Sequence, residues 1–298
     1  MKKWTLLLLF AAALAPHAAT QTIQTADEQL RSEYRGKTLS LRGFYLGKEL
    51  RFDEDGTIVG AKVIGSWTLA NIKIKEIVAT TQEIQIKGER IGYWFKGTDR
   101  KAVGLGELRI EISLPRGADP LSASRLAISR VFLRQDESPC PLLPQYWQVF
   151  CAGEDKLAQN TAWAAILESN HLRPYNSKPK PANTAAESVV PPNNSESKPA
   201  NTAPESVVPP YAEYAADPEY TKEAVAEHVD GKVVLKIVVD EKGRARAVTI
   251  VKPLGLGLDE SAVKTVSHWR FRPATRKGEP IPVEINVEMN FRCCGLVL

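Results

Sequence analysis

The stretch Pro174–Pro210 most constrains what this chain can fold into. Pro, Ser, Asn, Ala and Glu dominate its 37 residues, and no aromatic follows Tyr175 within it. Such a composition buries too little apolar surface to offset the entropy of ordering it. It also contains a repeat: Pro181–Pro192 recurs as Pro199–Pro210, offset by 18 residues. We read it as a disordered Pro-rich linker, partly polyproline II, able to reach roughly 110 Å when fully extended. A docking motif for a Pro-binding domain is the other reading. With 298 residues in all, the chain is expected to form two modest domains, 21–173 and 211–298, on either side of this linker.

Residues 1–20 have the three-part layout of a secretory signal peptide. Met1-Lys2-Lys3 is basic, Trp4–Leu14 is apolar apart from one Thr, and Ala15–Thr20 is rich in small residues. Cleavage is expected near Ala18–Thr20, and no Cys follows the apolar run to suggest a lipoprotein. The rival is a retained inner-membrane anchor through residues 4–19, but a spanning helix needs about 20 apolar residues. The expected location is therefore the periplasm. The formal charge of +4 for the whole chain falls to zero over Tyr211–Leu298, which holds 13 basic and 13 acidic residues. Nothing in that balance calls for nucleic acid.

Residues 21–173 read as an α+β domain of unknown role on an antiparallel sheet. A short helix is expected over Asp27–Tyr34 and strand character over Thr38–Leu46. Asp55-Gly56 marks a hairpin between Leu50–Phe52 and Thr57–Val59. Further strands are expected around Ile72/Ile74 and Ile84–Phe95, and Leu108, Ile110, Ile112 and Leu114 alternate with polar residues. Asp119-Pro120 opens a helix to Phe132, and Lys156–Asn170 suggests another. Cys140 and Cys151 form a possible disulfide in an oxidising compartment. Cys293-Cys294 is adjacent and would bridge only with strain.

Catalytic sets, cofactor motifs and metal-ligand spacings are not found. The four histidines (His17, His171, His228 and His268) do not cluster in the sequence. Gly104-Leu105-Gly106 reads as a turn without the rest of a dinucleotide fingerprint. Asp53-Glu54-Asp55 reads as a solvated hairpin tip. Arg270, Arg272, Arg276 and Lys277 read as a solvated loop, with a basic rim as the alternative.

In the last domain, Pro218–Val229 is expected to be helical, ending at Asp230-Gly231. Val233, Leu235, Ile237 and Val239 share one face of a strand, Asp240–Gly243 turns, and Ala245–Lys252 returns antiparallel. Asp259 is read as the cap of a second helix, whose core stripe is Ala262, Val263, Val266 and Trp269. From Ile281 to Phe291, apolar Val283, Ile285, Val287, Met289 and Phe291 alternate with Glu284, Asn286, Glu288 and Asn290. This is the clearest strand in the chain. The order αββαβ implies three antiparallel strands with two helices on one face.

These residues resemble the TonB C-terminal domain family. The resemblance lies in Pro218-Glu219-Tyr220, Gly231-Lys232-Val233, Val238–Gly243, Leu258-Asp259 with Ala262, Trp269–Ala274, and Gly278-Glu279-Pro280 leading to Val287 and Asn290-Phe291. It covers about 75 residues. Such domains often carry Tyr-Pro near the first helix, where this chain has Tyr220-Thr221. The resemblance implies a periplasmic protein-binding module for outer-membrane TonB-dependent transporters or other envelope proteins. An extended segment of the partner would add to an exposed edge of the sheet. The last strand is the candidate edge, with partner-binding residues Val283, Glu284, Ile285, Asn286, Val287, Glu288, Met289 and Asn290. The alternative is a full energy transducer for transmembrane transport, coupled to an inner-membrane motor complex through a retained anchor. A third reading is an exported enzyme or ligand carrier with its activity in residues 21–172.

Overall fold

The computed structural model describes residues 15–96, 99–134, 136–150 and 207–293. The chain divides into two compact units. The first holds residues 1–94, 100–142 and 255–257, and the second holds 95–99, 143–254 and 258–298. The helix expected over Lys156–Asn170 lies outside the described residues.

The first unit is built on a six-stranded sheet. Its strands are β1 (Thr38–Ser40), β2 (Glu49–Phe52), β3 (Ile58–Val59), β4 (Asn71–Ala79), β5 (Glu83–Lys96) and β6 (Asp99–Ser113). Their order across the sheet is β1-β4-β5-β6-β2-β3. Alternation drives the burial: Ile72 and Ile74 on β4, Ile84 and Ile86 on β5, and Ile110 and Ile112 on β6 are all in the core. Helix α1 (Ala15–Tyr34) packs on β4 and on helix α2 (Pro120–Val131). Helix α1 runs across the cleavage region expected at Ala18–Thr20 and starts earlier than the helix predicted from Asp27. Asp119 caps α2 by accepting the Ser122 N–H, and Pro120 occupies the first turn, where its missing donor costs nothing.

The sheet is mixed rather than antiparallel. β2 runs parallel to β6, with Leu50 opposite Ile110 and Phe52 opposite Ile112. Side-chain alternation has period two in either orientation, so periodicity could not reveal the direction. Gly104 and Gly106 lie inside β6, not in a turn. The tip at Asp53 is used by its own chain, since the carboxylate accepts the N–H groups of Asp55 and Thr57. One buried cation escaped the sequence: Arg90 on β5 donates to the Leu69 carbonyl at 2.6 Å and the Gly47 carbonyl at 3.2 Å.

The second unit carries the αββαβ core. Helix α3 (Lys222–Ala226) precedes β9 (Gly231–Val239), β10 (Ala245–Lys252), helix α4 (Leu258–His268) and β14 (Val283–Phe291). β9 lies in the middle of an antiparallel sheet ordered β10-β9-β14, and its Val233, Leu235, Ile237 and Val239 are fully buried. Short strands surround this core: β7 (Val207–Val208), β8 (Tyr211–Tyr214), β11 (Arg270–Arg272), β12 (Ala274–Arg276) and β13 (Glu279–Ile281). β8 pairs with β11, while β12 sits between β13 and β7. Strand structure is therefore present before Tyr211, at Val207–Val208. The last residues assigned to the linker are a strand, because Val207-Val208 has β-branched side chains and a partner edge to satisfy its backbone.

Helix α3 is shorter than predicted over 218–229. Thr221 caps it by accepting the Ala224 N–H, so the chain before it is extended, and His228 ends it in a left-handed conformation at φ 49°. Tyr220 is thereby free to stack edge-on against Phe291, 5.4 Å between ring centres. Asp259 is buried inside the first turn of α4 and accepts the Leu254 N–H at 2.7 Å, anchoring the preceding loop. Trp269 lies just past α4, half-buried, and donates to the Ala216 carbonyl at 2.9 Å.

Candidate protein-binding edge

The two outer strands of the three-stranded sheet differ. β10 has register irregularities against β9, and Ala247 takes a positive φ of 46°. A 3₁₀ turn at Gln145–Phe150 packs against β10. β14 pairs with β9 in unbroken register over nine residues, from Val283 opposite Val239 to Phe291 opposite Gly231. Its other side pairs with no strand among the described residues. Alternate residues of such a strand aim their N–H and C=O groups away from the sheet.

The structure sorts the eight predicted binding residues into two faces. Glu284, Asn286, Glu288 and Asn290 are exposed. On the other face Val287 and Met289 are buried in the core, while Val283 and Ile285 remain half-buried. A partner strand would thus meet backbone along the whole edge, polar side chains on one face, and accessible apolar ones mainly at the Val283 end. The acidic residues also have partners that were not predicted. Glu288 meets Lys232 at 2.6 Å and Glu284 meets Lys236 at 3.0 Å, both lysines on β9. The matching spacing of four between Lys232 and Lys236 and between Glu284 and Glu288 was a usable signal, since residues four apart on a strand share a face. Arg272 is likewise engaged: it stacks over Tyr211 at 5.0 Å and reaches Glu213 at 3.2 Å, tying β11 to β8.

The hydrogen bond from Lys232 holds the Glu288 carboxyl below its ordinary value. A depressed carboxylate adds stability that is present above the unfolded value and is lost as pH falls through the folded one. The Lys232→Met substitution should return the Glu288 titration upward toward the ordinary glutamate range. Side-chain NMR titration of Glu288 checks this, and an unchanged midpoint would show the pair to be incidental.

Elsewhere in the second unit, Cys293 is disulfide-bonded. So is Cys140 in the first unit, while Cys151 and Cys294 lie outside the described residues. The described residues hold no cluster of three or more potential metal ligands. The first unit has a groove of about 380 Å³ lined by Tyr34, Leu39, Ile128 and Phe132. Its Glu33 and Arg125 pair at 3.0 Å, and burial, reinforced by Glu33, pushes the Tyr34 phenol up to about 12. A phenol held protonated beside a closed ion pair is a poor acid–base set.

No helix among the described residues is both long and apolar enough to cross a membrane. A family model described as Gram-negative bacterial TonB protein C-terminal matches residues 216–293. Among solved structures, the chain is similar to the TonB C-terminal domain of Pseudomonas aeruginosa, at 18% identity and a TM-score of 0.25. That match covers 28% of this chain and 85% of the other. A comparison with curated proteins gave no match. Residues 216–293 form a TonB C-terminal domain.

Proposed function

We propose that the second unit is a protein-binding head of the periplasm that takes up an extended segment of a partner along β14. The partner is an outer-membrane transporter or another envelope protein. The observation that carries this reading is the long, regular outer edge of β14, which offers main-chain hydrogen bonds without any reorganisation of the sheet. Cross-strand pairing of Glu284 and Glu288 with Lys236 and Lys232 leaves the edge with little net charge, so partner choice falls on backbone geometry and on Val283 and Ile285. Residues 1–20 act as an export signal, and 174–206 tether the head. Cys140 is disulfide-bonded, and a bond to Cys151, its expected partner, would fit an oxidising compartment.

Asn286→Pro and Val287→Pro test the edge as a pair. Neighbouring residues of a strand point their N–H groups to opposite sides, so one substitution removes a bond to β9 and the other an outward donor. The variant that keeps the sheet folded by circular dichroism should lose capture of outer-membrane proteins in a pull-down. Undiminished capture by that folded variant would exclude β14 as the edge. The mass of the mature protein reports whether residues 1–20 are removed.

A further inference from the structure

The internal repeat reaches into the folded domain. Its second copy ends in Glu205-Ser206-Val207-Val208-Pro209-Pro210, and Val207 and Val208 are β7. Val208 pairs with Thr275 and Val207 with Arg276, on the side of β12 away from β13. The first copy carries the same six residues at Glu187–Pro192. Over the twelve-residue repeat the copies differ only at Ala186 and Pro204, three positions before the paired valines.

We propose that the outer edge of β12, Thr275–Arg276, is a docking site for the Ser-Val-Val-Pro-Pro element, and that the first copy of the same chain is its alternative occupant. This edge is separate from β14 and does not depend on the reading of β14. The pairing uses backbone groups and two β-branched side chains, and both copies supply them identically. In both copies the prolines that follow have no N–H, which limits the strand to the same length. In the register seen for β7, Glu187 falls beyond Arg276 on the side of Lys277, a complementary placement of charge.

The second copy is the resting occupant, because β8 begins only three residues after Val208 and holds it close. Yet its grip is slight: the ladder is two residues long, and Val207 and Val208 are 39% and 57% exposed. When it leaves, the first copy competes at an effective concentration of about 1 mM, far above that of a second chain in dilute solution. Exchange of copies would shorten the free tether by 18 residues, roughly 56 Å if extended. The repeat thus gives the binding head two tether lengths.

Hydrogen exchange on the full chain tests this, following residues 274–277 with β9 as the internal measure of folding. In V207P/V208P, exchange at 274–277 should stay within about threefold of wild type, and adding V189P/V190P should speed it about tenfold or more. The proposal is overturned if V207P/V208P alone exchanges as fast as the quadruple variant, or if the quadruple variant matches wild type. Sedimentation of V207P/V208P should give a monomer, and a dimer would overturn occupancy within one chain. A second measurement needs no substitution in the protein. A peptide of residues 185–194 at about 1 mM should shift the Thr275 and Arg276 amides of the wild-type chain. The same peptide with both valines replaced by Asp should not, and equal effects of the two peptides would also overturn the proposal.

Discussion

The Trp147→Ala substitution should remove about 3–5 kcal/mol from the stability of the second unit, the cost of truncating a large core aromatic. Trp147 is fully buried, and its indole N–H donates to Glu260 in the first turn of α4 at 2.8 Å. It lies 69 residues before the stretch matched as a TonB C-terminal domain. The unit therefore includes a piece that the family match does not cover, the 3₁₀ turn packed against β10. Trp147→Phe separates the two contributions. It keeps most of the buried volume and loses the bond to the carboxylate, so it should cost about 1.5–3 kcal/mol. Denaturant titration with exchange at β9 and α4 as the readout measures both. If Trp147→Ala shifts the midpoint by less than Trp147→Phe, the turn is not part of the core of this unit.

That turn marks where the sequence stopped being informative. Elements whose burial is written in a local period were legible. β14, β9, the Asp55-Gly56 hairpin and the stripe of α4 all follow from alternation, turn residues or helical spacing. The nine-residue alternation marked β14 as a strand for the same reason, but it did not say that its neighbour is β9. Pairings between distant segments were not. Residues 145–150 follow a run of prolines and carry no period, and nothing local says that Trp147 meets Glu260. The parallel direction of β2 against β6 is set by the path of the intervening chain. Val207-Val208 looked like linker because the composition around it is that of a linker, and only the edge of β12 turns it into strand. Likewise Asp259 resembled a cap, but its carboxylate serves the loop at Leu254.

Gly243→Ala is the second large effect, and a control isolates its cause. Gly243 closes the turn between β9 and β10 at φ +68°, and a Cβ there would sit 1.8 Å from the Phe271 carbonyl oxygen. Backbone cannot swing aside as a side-chain tip can, so β11 must move. It is held there by a hydrogen bond from the Phe271 N–H to the Gly243 carbonyl at 2.9 Å. The left-handed conformation alone costs an L-residue about 1–2 kcal/mol, and forced displacement adds about 1–3 kcal/mol. Gly278→Ala supplies the control, because Gly278 has a similar φ of +85° with nothing within 4 Å of its Cβ position. It should lose only the conformational part. The difference between the two variants, read from denaturant midpoints, is then the contact with β11. It should also have a direction in space. β11 pairs with β8 through Phe271 and Arg272, so Gly243→Ala should speed hydrogen exchange at Tyr211–Tyr214 while β14, which pairs with β9, stays protected. Equal losses in the two alanine variants would mean that β11 is not seated on the turn. In that case the strands β7 and β8 would be held by their own short ladders and not by the core.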